Sequence, residues 1–334
     1  MFQQVMNWMR DNKILPQISD TERQALEAGD VWIDGQFFGG KVDFENILAE
    51  NYDQLPAHEQ AFLDGPVEEL LKMADAYELS RTRKLPDDVF KFMADNGFFA
   101  MQIAKEYGGM PMSTQAKSCI MAKVSSYSGL LSAMVVIPNS LGAAELLGHY
   151  GTDEQKNYYL PKLAKGEFIP CFGLTEPGSG SDSAAMQTTA VPDPDGNGWI
   201  LNGSKRYITN APHADVALIM ARTEKEALPK NAHVSAFIVP MDTPGISTGS
   251  PDKKMGQAGS HISDIMLDDV KVPGDALLGG ETGQGFRFAM QSLDNGRISV
   301  GAAATAYARR ALDSALRYAN ERKAFGEPIA RFQL

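Results

Sequence analysis

Two cysteines and five histidines are all that the chain offers a disulfide or a metal. Cys119 and Cys171 are too far apart for a zinc knuckle and too few for a disulfide framework. Their apolar neighbours predict buried free thiols in a reducing compartment. His58, His149, His213, His233 and His261 form no HxH or HxxxH pair, which argues against a metal enzyme. Positive charge is also short: 31 Lys and Arg against 42 Asp and Glu leave a formal charge of −11. That balance argues against non-specific nucleic-acid binding, which needs clustered cations, although a local basic patch can still hold an anionic substrate. No apolar run approaches the ~20 residues of a membrane helix. The longest, Leu130 to Ile137, is broken by Ser132 and read as stopped by Pro138. No signal-peptide pattern is present. Phe2, Val5, Met6 and Met9 stand at helical spacing, which fits a helix packed on the protein or an interfacial anchor. The expected location is cytoplasmic, with peripheral contact to the inner membrane as the variant.

What is there comes in an order. The apolar share, 43% against 22% charged, supports real cores, and the length predicts two or three domains. Residues 1–56 are polar and glycine-rich and read as an extension or linker. Residues 57–167 read as helical: Phe62, Leu63, Val67, Leu70, Leu71 and Ala74 recur at three- and four-residue intervals, one buried helix face. Thr152 and Gln155 make a capping box for a later helix. Residues 168–282 are short β-type runs broken by Pro and Gly, which suggests an antiparallel barrel or sandwich. Within them, GWILNGSKRYITNA reads as a hairpin turning at Asn202-Gly203. Residues 283–334 return to helix, from about Phe286 to Lys323, and a further helix is expected after Pro328. The fold class is therefore α+β: a helical domain, a β domain, and the start of a helical bundle.

The segment CFGLTEPGSGSDSAAMQ carries the most chemistry. A strand ends at Leu174 and enters a loop where Pro177, Gly178 and Gly180 let the backbone turn. Thr175, Ser179, Ser181 and Ser183 offer hydroxyls, and the glycines offer open amides, a combination suited to a pyrophosphate. The alternative is a plain turn with solvated serines. The loop is neither a nucleophile elbow nor a dinucleotide fingerprint. In NGSKRYITNAPHAD, Tyr207 and Thr209 are two residues apart on a strand and share a face, an aromatic surface beside a hydroxyl.

With MGQAGSHISDIMLDDVKVPGDALLG and RKAFGEPIARFQ following, the ordered set resembles the acyl-CoA dehydrogenase family from about residue 57 onward. Members of that family carry LTEPGSGSD, NGxKxxITNA, MGxxGS…DVxVPxxxLLG and RxxFGxPIxxFQ segments in this order. The stretch from ISDTERQALEAG through AFLDGPVEELL is similar to the linker of the large bacterial fatty-acid-degrading subgroup. The resemblance implies FAD held between the β domain and the bundle. It places Phe172, Leu174 and Thr175 along the flavin ring, with Gly180 and Ser181 by the pyrophosphate. It makes Tyr207, Ile208 and Thr209 a second wall, with Tyr207 where tryptophan is commonest. Arg322, Lys323, Phe325 and Gln333 match positions reaching a neighbouring subunit's FAD, which implies a homodimer or homotetramer.

Ser181, Asp294, Asn295, Gly296 and Arg297 match the acyl-CoA site. Some members carry a catalytic glutamate where this chain has Gly296; others take their base from a loop that would lie beyond Leu334, so the base is expected there. The activity implied is α,β-dehydrogenation of a fatty acyl-CoA to the trans-2-enoyl thioester in β-oxidation, with electrons passed to an electron-transfer flavoprotein. An oxidase on the same scaffold and a non-catalytic flavin-binding or assembly protein are the competing readings. All of them require Thr175, Ser181, Tyr207 and Thr209 to converge.

Overall fold

The computed structural model describes residues 32–140, 142–196, 198–223 and 233–333. The expected amphipathic helix around Phe2 to Met9 lies outside them. The chain divides into two units, 1–54 and 55–334. The first carries helices α1 (Trp32–Gly39) and α2 (Phe44–Ala49). Asp43 starts α2 by accepting the Asn46 amide at 3.0 Å, an N-cap.

The second unit begins with a helical layer. Helix α3 (Ala57–Phe62) passes through a π-turn at Leu63–Val67 into α4 (Glu68–Met73). Pro66 sits inside that wider turn, where its missing amide is tolerated. Phe62, Leu63, Val67 and Leu70 are buried, as their spacing requires. Helices α5 (Ala76–Thr82), α6 (Asp87–Asp95), α7 (Thr114–Tyr127), α8 (Gly129–Ser140), α9 (Ala143–Tyr150) and α10 (Asp153–Ala164) complete the layer.

Pro138 does not stop α8, contrary to expectation; it sits inside the helix, which runs on to Ser140. The Asn139 side chain donates to the carbonyls of Val135 (2.8 Å) and Phe98 (2.6 Å). The stretch Gly129–Tyr150 is therefore long and apolar enough to cross a membrane by composition, but it is 75% buried inside the fold and serves as core. The capping box forms as read: Thr152 Oγ1 accepts the Gln155 amide, and Gln155 Oε1 accepts the Thr152 amide. Cys171 is buried as expected; Cys119 is only partly covered.

Seven strands form one curled sheet: β1 (Pro170–Gly173), β2 (Thr189–Pro192), β3 (Gly198–Thr209), β4 (Val216–Arg222), β5 (Val234–Pro240), β6 (Ile246–Thr248) and β7 (Ile262–Pro273). It is mainly antiparallel, but β1 runs parallel to β4. VALIMA and VSAFIV read as continuous apolar runs because β4 and β5 are covered on both faces. Val216, Leu218 and Met220 join the core shared with α9 and α10, while Ala217, Ile219 and Ala221 face the interior of the curl.

The expected hairpin at Asn202-Gly203 is absent. Strand β3 runs straight through it, pairing with β7 on both sides, with a register shift between Leu201 and Gly203. Gly203 has φ +150, and the Asn202 side chain pairs with Asp269 through two hydrogen bonds of 2.9 Å instead of turning the chain. The Asn-Gly pair therefore marks a bulge.

Helix α11 (Gly285–Glu321) returns across both layers. Its first residue abuts the sheet: a Cβ on Gly285 would stand 2.4 Å from the Ser235 carbonyl carbon and 2.6 Å from the Ala236 nitrogen. After α11 comes a small hairpin, β8 (Lys323–Ala324) and β9 (Glu327–Pro328), turning through Phe325 and Gly326 at positive φ. Among the described residues a 3₁₀ turn, Ile329–Arg331, follows Pro328. Gly285→Ala is expected to destabilise the protein by about 1–3 kcal/mol through overpacking, read as a lower midpoint in urea unfolding. Gly301→Ala, on the same helix with open space around it, should not.

Candidate functional site

Past β1, Leu174 is buried and Thr175 half-buried, and the Thr175 carbonyl accepts the Arg206 amide at 2.8 Å. That one bond brings the end of the TEPGSGSD loop against β3. Glu176 and Ser179 then close a tight turn with reciprocal backbone bonds of 3.0 and 3.1 Å. The Glu176 side chain goes inward. One oxygen accepts Lys205 Nζ at 2.7 Å and the Thr188 amide at 3.0 Å; the other accepts the Gln187 amide. A single carboxylate thus ties both ends of the loop 176–188 together.

Lys205 is wholly buried, and its ammonium also donates to the Leu174 carbonyl at 3.4 Å. Gly173 makes room for it: a Cβ there would lie 3.3 Å from Lys205 Cγ. Burial pulls the Lys205 pKa down to about 8 against the opposing charge of Glu176. For Glu176 burial acts to raise the pKa, but Lys205 and the amide donors outweigh it and hold the carboxyl below its ordinary range.

Immediately after Lys205 the strand bulges again. The register slips between Lys205 and Ile208, and Tyr207 takes φ +60, rare for an aromatic residue. The bulge leaves Tyr207 59% exposed and Ile208 buried, with Thr209 half-buried beyond. Asp264 on β7 holds this kink, accepting the Tyr207 amide at 3.3 Å and Arg206 Nη1 at 3.3 Å. The Arg206 guanidinium lies 4.8 Å from the Tyr207 ring centroid.

The Thr175–Arg206 bond therefore brings Thr175 against the strand that carries Tyr207, Ile208 and Thr209. Phe172 is half-buried on β1. Gly180 and Ser181 are exposed on the outer turn, and no hydrogen bond ties them to Tyr207. On α11, Asp294 and Arg297 are exposed and paired with each other, Gly296 is buried, and Asn295 lies between them. Arg322 caps the end of α11, with its amide on the Tyr318 carbonyl at 2.8 Å. Lys323 and Gln333 are exposed, and Phe325 is 99% exposed at the hairpin tip. These tail residues are remote in the chain from the β3 bulge.

An exposed aromatic ring on a strand joined to a loop with uncommitted hydroxyls fits a planar heteroaromatic cofactor with polar edges. No hydrogen bond holds the Thr175, Ser181 or Thr209 hydroxyl to another described residue. Gly178 and Gly180 have open space where a side chain would stand, so a pyrophosphate can approach their backbone. FAD fits this donor set. Sequence reasoning missed Glu176, Lys205, Arg206 and Asp264. The signal was present: in the Leu201, Gly203, Lys205 alternation a lysine occupies an inward position, which demands a buried partner.

A helical layer, a curled sheet with a loop-and-bulge wall and a long returning helix follow one another along the chain. Three family models match in the same order: Acyl-CoA dehydrogenase, N-terminal domain (residues 60–167), middle domain (171–270) and C-terminal domain (283–334). The chain belongs to the acyl-CoA dehydrogenase family.

Among similar proteins, 3-(aryl)acrylate reductase of Clostridium sporogenes is 43% identical over 81% of this chain and 70% of its own length. The mitochondrial short-chain specific acyl-CoA dehydrogenase of Homo sapiens is 37% identical over 77% of this chain and 61% of its own. The structure of butyryl-CoA dehydrogenase from Megasphaera elsdenii superposes with a TM-score of 0.78 at 31% identity, over 85% of this chain and 74% of that one.

Glu176→Ala is expected to cost about 3–5 kcal/mol, because it strands the buried Lys205 ammonium, whereas Glu176→Leu combined with Lys205→Met should unfold near the wild-type midpoint. The depressed Glu176 pKa fixes the sign with pH. Its stabilisation is complete above the ordinary value of 4.5 and is lost as pH falls through the lower folded value. The double variant should lose that part of the acid limb.

Proposed function

We propose that the protein carries out FAD-dependent α,β-dehydrogenation of fatty acyl-CoA thioesters, as a step of fatty-acid β-oxidation, and passes electrons to an electron-transfer flavoprotein. The observation that carries this reading is the backbone bond that joins Thr175 to β3 one residue before the exposed Tyr207. Tyr207 and Ile208 offer a wall for the flavin ring, and Thr175 and Thr209 offer polar contacts at its edge. Gly180 and Ser181 suit the pyrophosphate. Bound there, FAD supplies hydride acceptance from Cβ, the redox step that no side chain can perform.

The protein must also orient the thioester and take a proton from Cα. Gly296 has no group for that task, and Asp294 is engaged with Arg297 on the exposed side of α11. Arg322, Lys323, Phe325 and Gln333 are assigned to the FAD of a neighbouring copy, within a homodimer or homotetramer. Reduction of an α,β double bond, the reverse direction, is the second reading, favoured by the 3-(aryl)acrylate reductase among the relatives.

Purified protein should retain FAD, and Tyr207→Ala should weaken FAD binding about tenfold by loss of the aromatic wall. Anaerobic mixing of the holoprotein with saturated acyl-CoAs of graded chain length, then separately of reduced holoprotein with 2-enoyl-CoAs, reads out substrate and direction through flavin absorbance. No FAD on the wild-type chain, or equal retention by Tyr207→Ala, would sink the assignment of this wall. Reoxidation of the reduced protein by air as fast as by an electron-transfer flavoprotein would make it an oxidase.

A further inference from the structure

The wall proposed for the flavin stands on a mismatch between two strands. Lys205 and Ile208 on β3 are both buried, at 0% and 3% exposure, although strand alternation sets inward residues two apart rather than three. Across the ladder, Lys205 pairs with Ile265 and Ile208 with Ser263. Arg206 and Tyr207 therefore face a single residue of β7, Asp264, which is the count of a β-bulge.

A bulge frees backbone groups that the ladder no longer pairs. The Arg206 amide turns to the Thr175 carbonyl at 2.8 Å. The Asp264 carbonyl is committed elsewhere, accepting the Gly249 amide at 3.0 Å, so what Asp264 offers the bulge is its side chain. One carboxylate oxygen accepts the Tyr207 amide and the other accepts Arg206 Nη1, each at 3.3 Å.

Tyr207 needs such a partner. Its φ of +60 is left-handed, a strained conformation for an aromatic residue that persists only where the surroundings impose it. A return to ordinary strand dihedrals would redirect the ring. The Arg206 and Asp264 side chains are 41% and 37% exposed, so their ion pair adds little stability by itself. Its effect is geometric: it keeps the guanidinium beside the Tyr207 ring, 4.8 Å from the centroid.

We propose that Asp264 is a positioning residue for the cofactor: by holding the Tyr207 amide it imposes the left-handed turn that presents the ring to the flavin. The inference rests on the flavin reading of this wall, and it gives Asp264 no contact with FAD or substrate. Asparagine can replace it, because a side-chain carbonyl still accepts the amide and Arg206 keeps the nearby charge of Asp252. Alanine cannot.

The test uses the full chain at saturating FAD for stability, and FAD titration for affinity. In urea unfolding, Asp264→Ala should lower the midpoint of the wild-type chain, and lower it clearly less in the Tyr207→Gly background, where glycine takes a positive φ without strain. Should Asp264→Ala alone leave no folded protein, the same arm reads as recovery of folding in that background. In titration, Asp264→Ala should weaken FAD about fivefold and change the visible circular dichroism of the bound flavin. Asp264→Asn should stay within about twofold of the wild type with an unchanged spectrum. Adding Asp264→Ala to Tyr207→Ala should weaken FAD no further, since Asp264 acts through that ring. Equal midpoint losses in both backgrounds, equal FAD losses for Asp264→Asn and Asp264→Ala, or additive losses in the double variant would overturn the proposal. If Tyr207→Ala weakens FAD and Asp264→Ala does not, the role of Asp264 falls while the wall stands. If neither weakens it, the wall falls and the proposal with it.

Discussion

Lys205 and Glu176 meet at 2.7 Å where neither is in contact with bulk water. Two charges in that position roughly break even against apolar residues of the same size, while either one left alone is severely unfavourable. What the pair gives is therefore placement. The carboxylate cannot leave the ammonium, so the loop that carries it cannot leave β3. The Thr188 and Gln187 amides bind the same carboxylate and fix the loop's far end. The ammonium reaches back to the Leu174 carbonyl and fixes its near end. Thr175 lies between these anchors, and so its bond to Arg206 is held in register with the bulge that exposes Tyr207. The candidate flavin wall is made of two segments far apart in sequence, and this ion pair is the bolt between them.

Much of the architecture was legible from local signals. Helix faces in the 57–167 region, the Thr152–Gln155 box and the long returning helix follow from spacing and capping chemistry that act within a few residues. The errors came where distant partners override a local preference. Asn202-Gly203 has the chemistry of a tight turn, but Asp269 on β7 captures the Asn202 side chain at both of its ends. Pro138 has the chemistry of a helix stop, but α8 continues past it, and Asn139 is tied to the distant Phe98 carbonyl. The parallel pairing of β1 with β4 is a matter of topology that no local pattern encodes.

The candidate site was legible to a different degree. The motif segments pointed to the TEPGSGSD loop and the RYIT strand, and the structure splices Thr175 to that strand. Strand alternation alone places Tyr207 and Thr209 together, but not the left-handed conformation that exposes the ring, because a bulge inserts a residue that the alternation cannot count. Asp264, which holds that conformation, comes from a strand more than fifty residues later. The family motif specifies which residues are present; the cross-strand acid specifies how they are held.

Gln155 carries a consequence of another kind. Besides capping α10, it donates to the carbonyls of Asp275 (2.7 Å) and Leu277 (2.9 Å) and accepts the Gly279 amide at 3.2 Å. One helical side chain is thus threaded through the segment that follows the last long strand. The matched family regions meet between residues 167 and 171, yet the mechanical seam does not lie there. Fraying of the first turn of α10 would release the 275–279 segment from Gln155. Helical layer and sheet are consequently a single cooperative folding unit, whose slowest-exchanging amides should span the family boundary rather than stop at it.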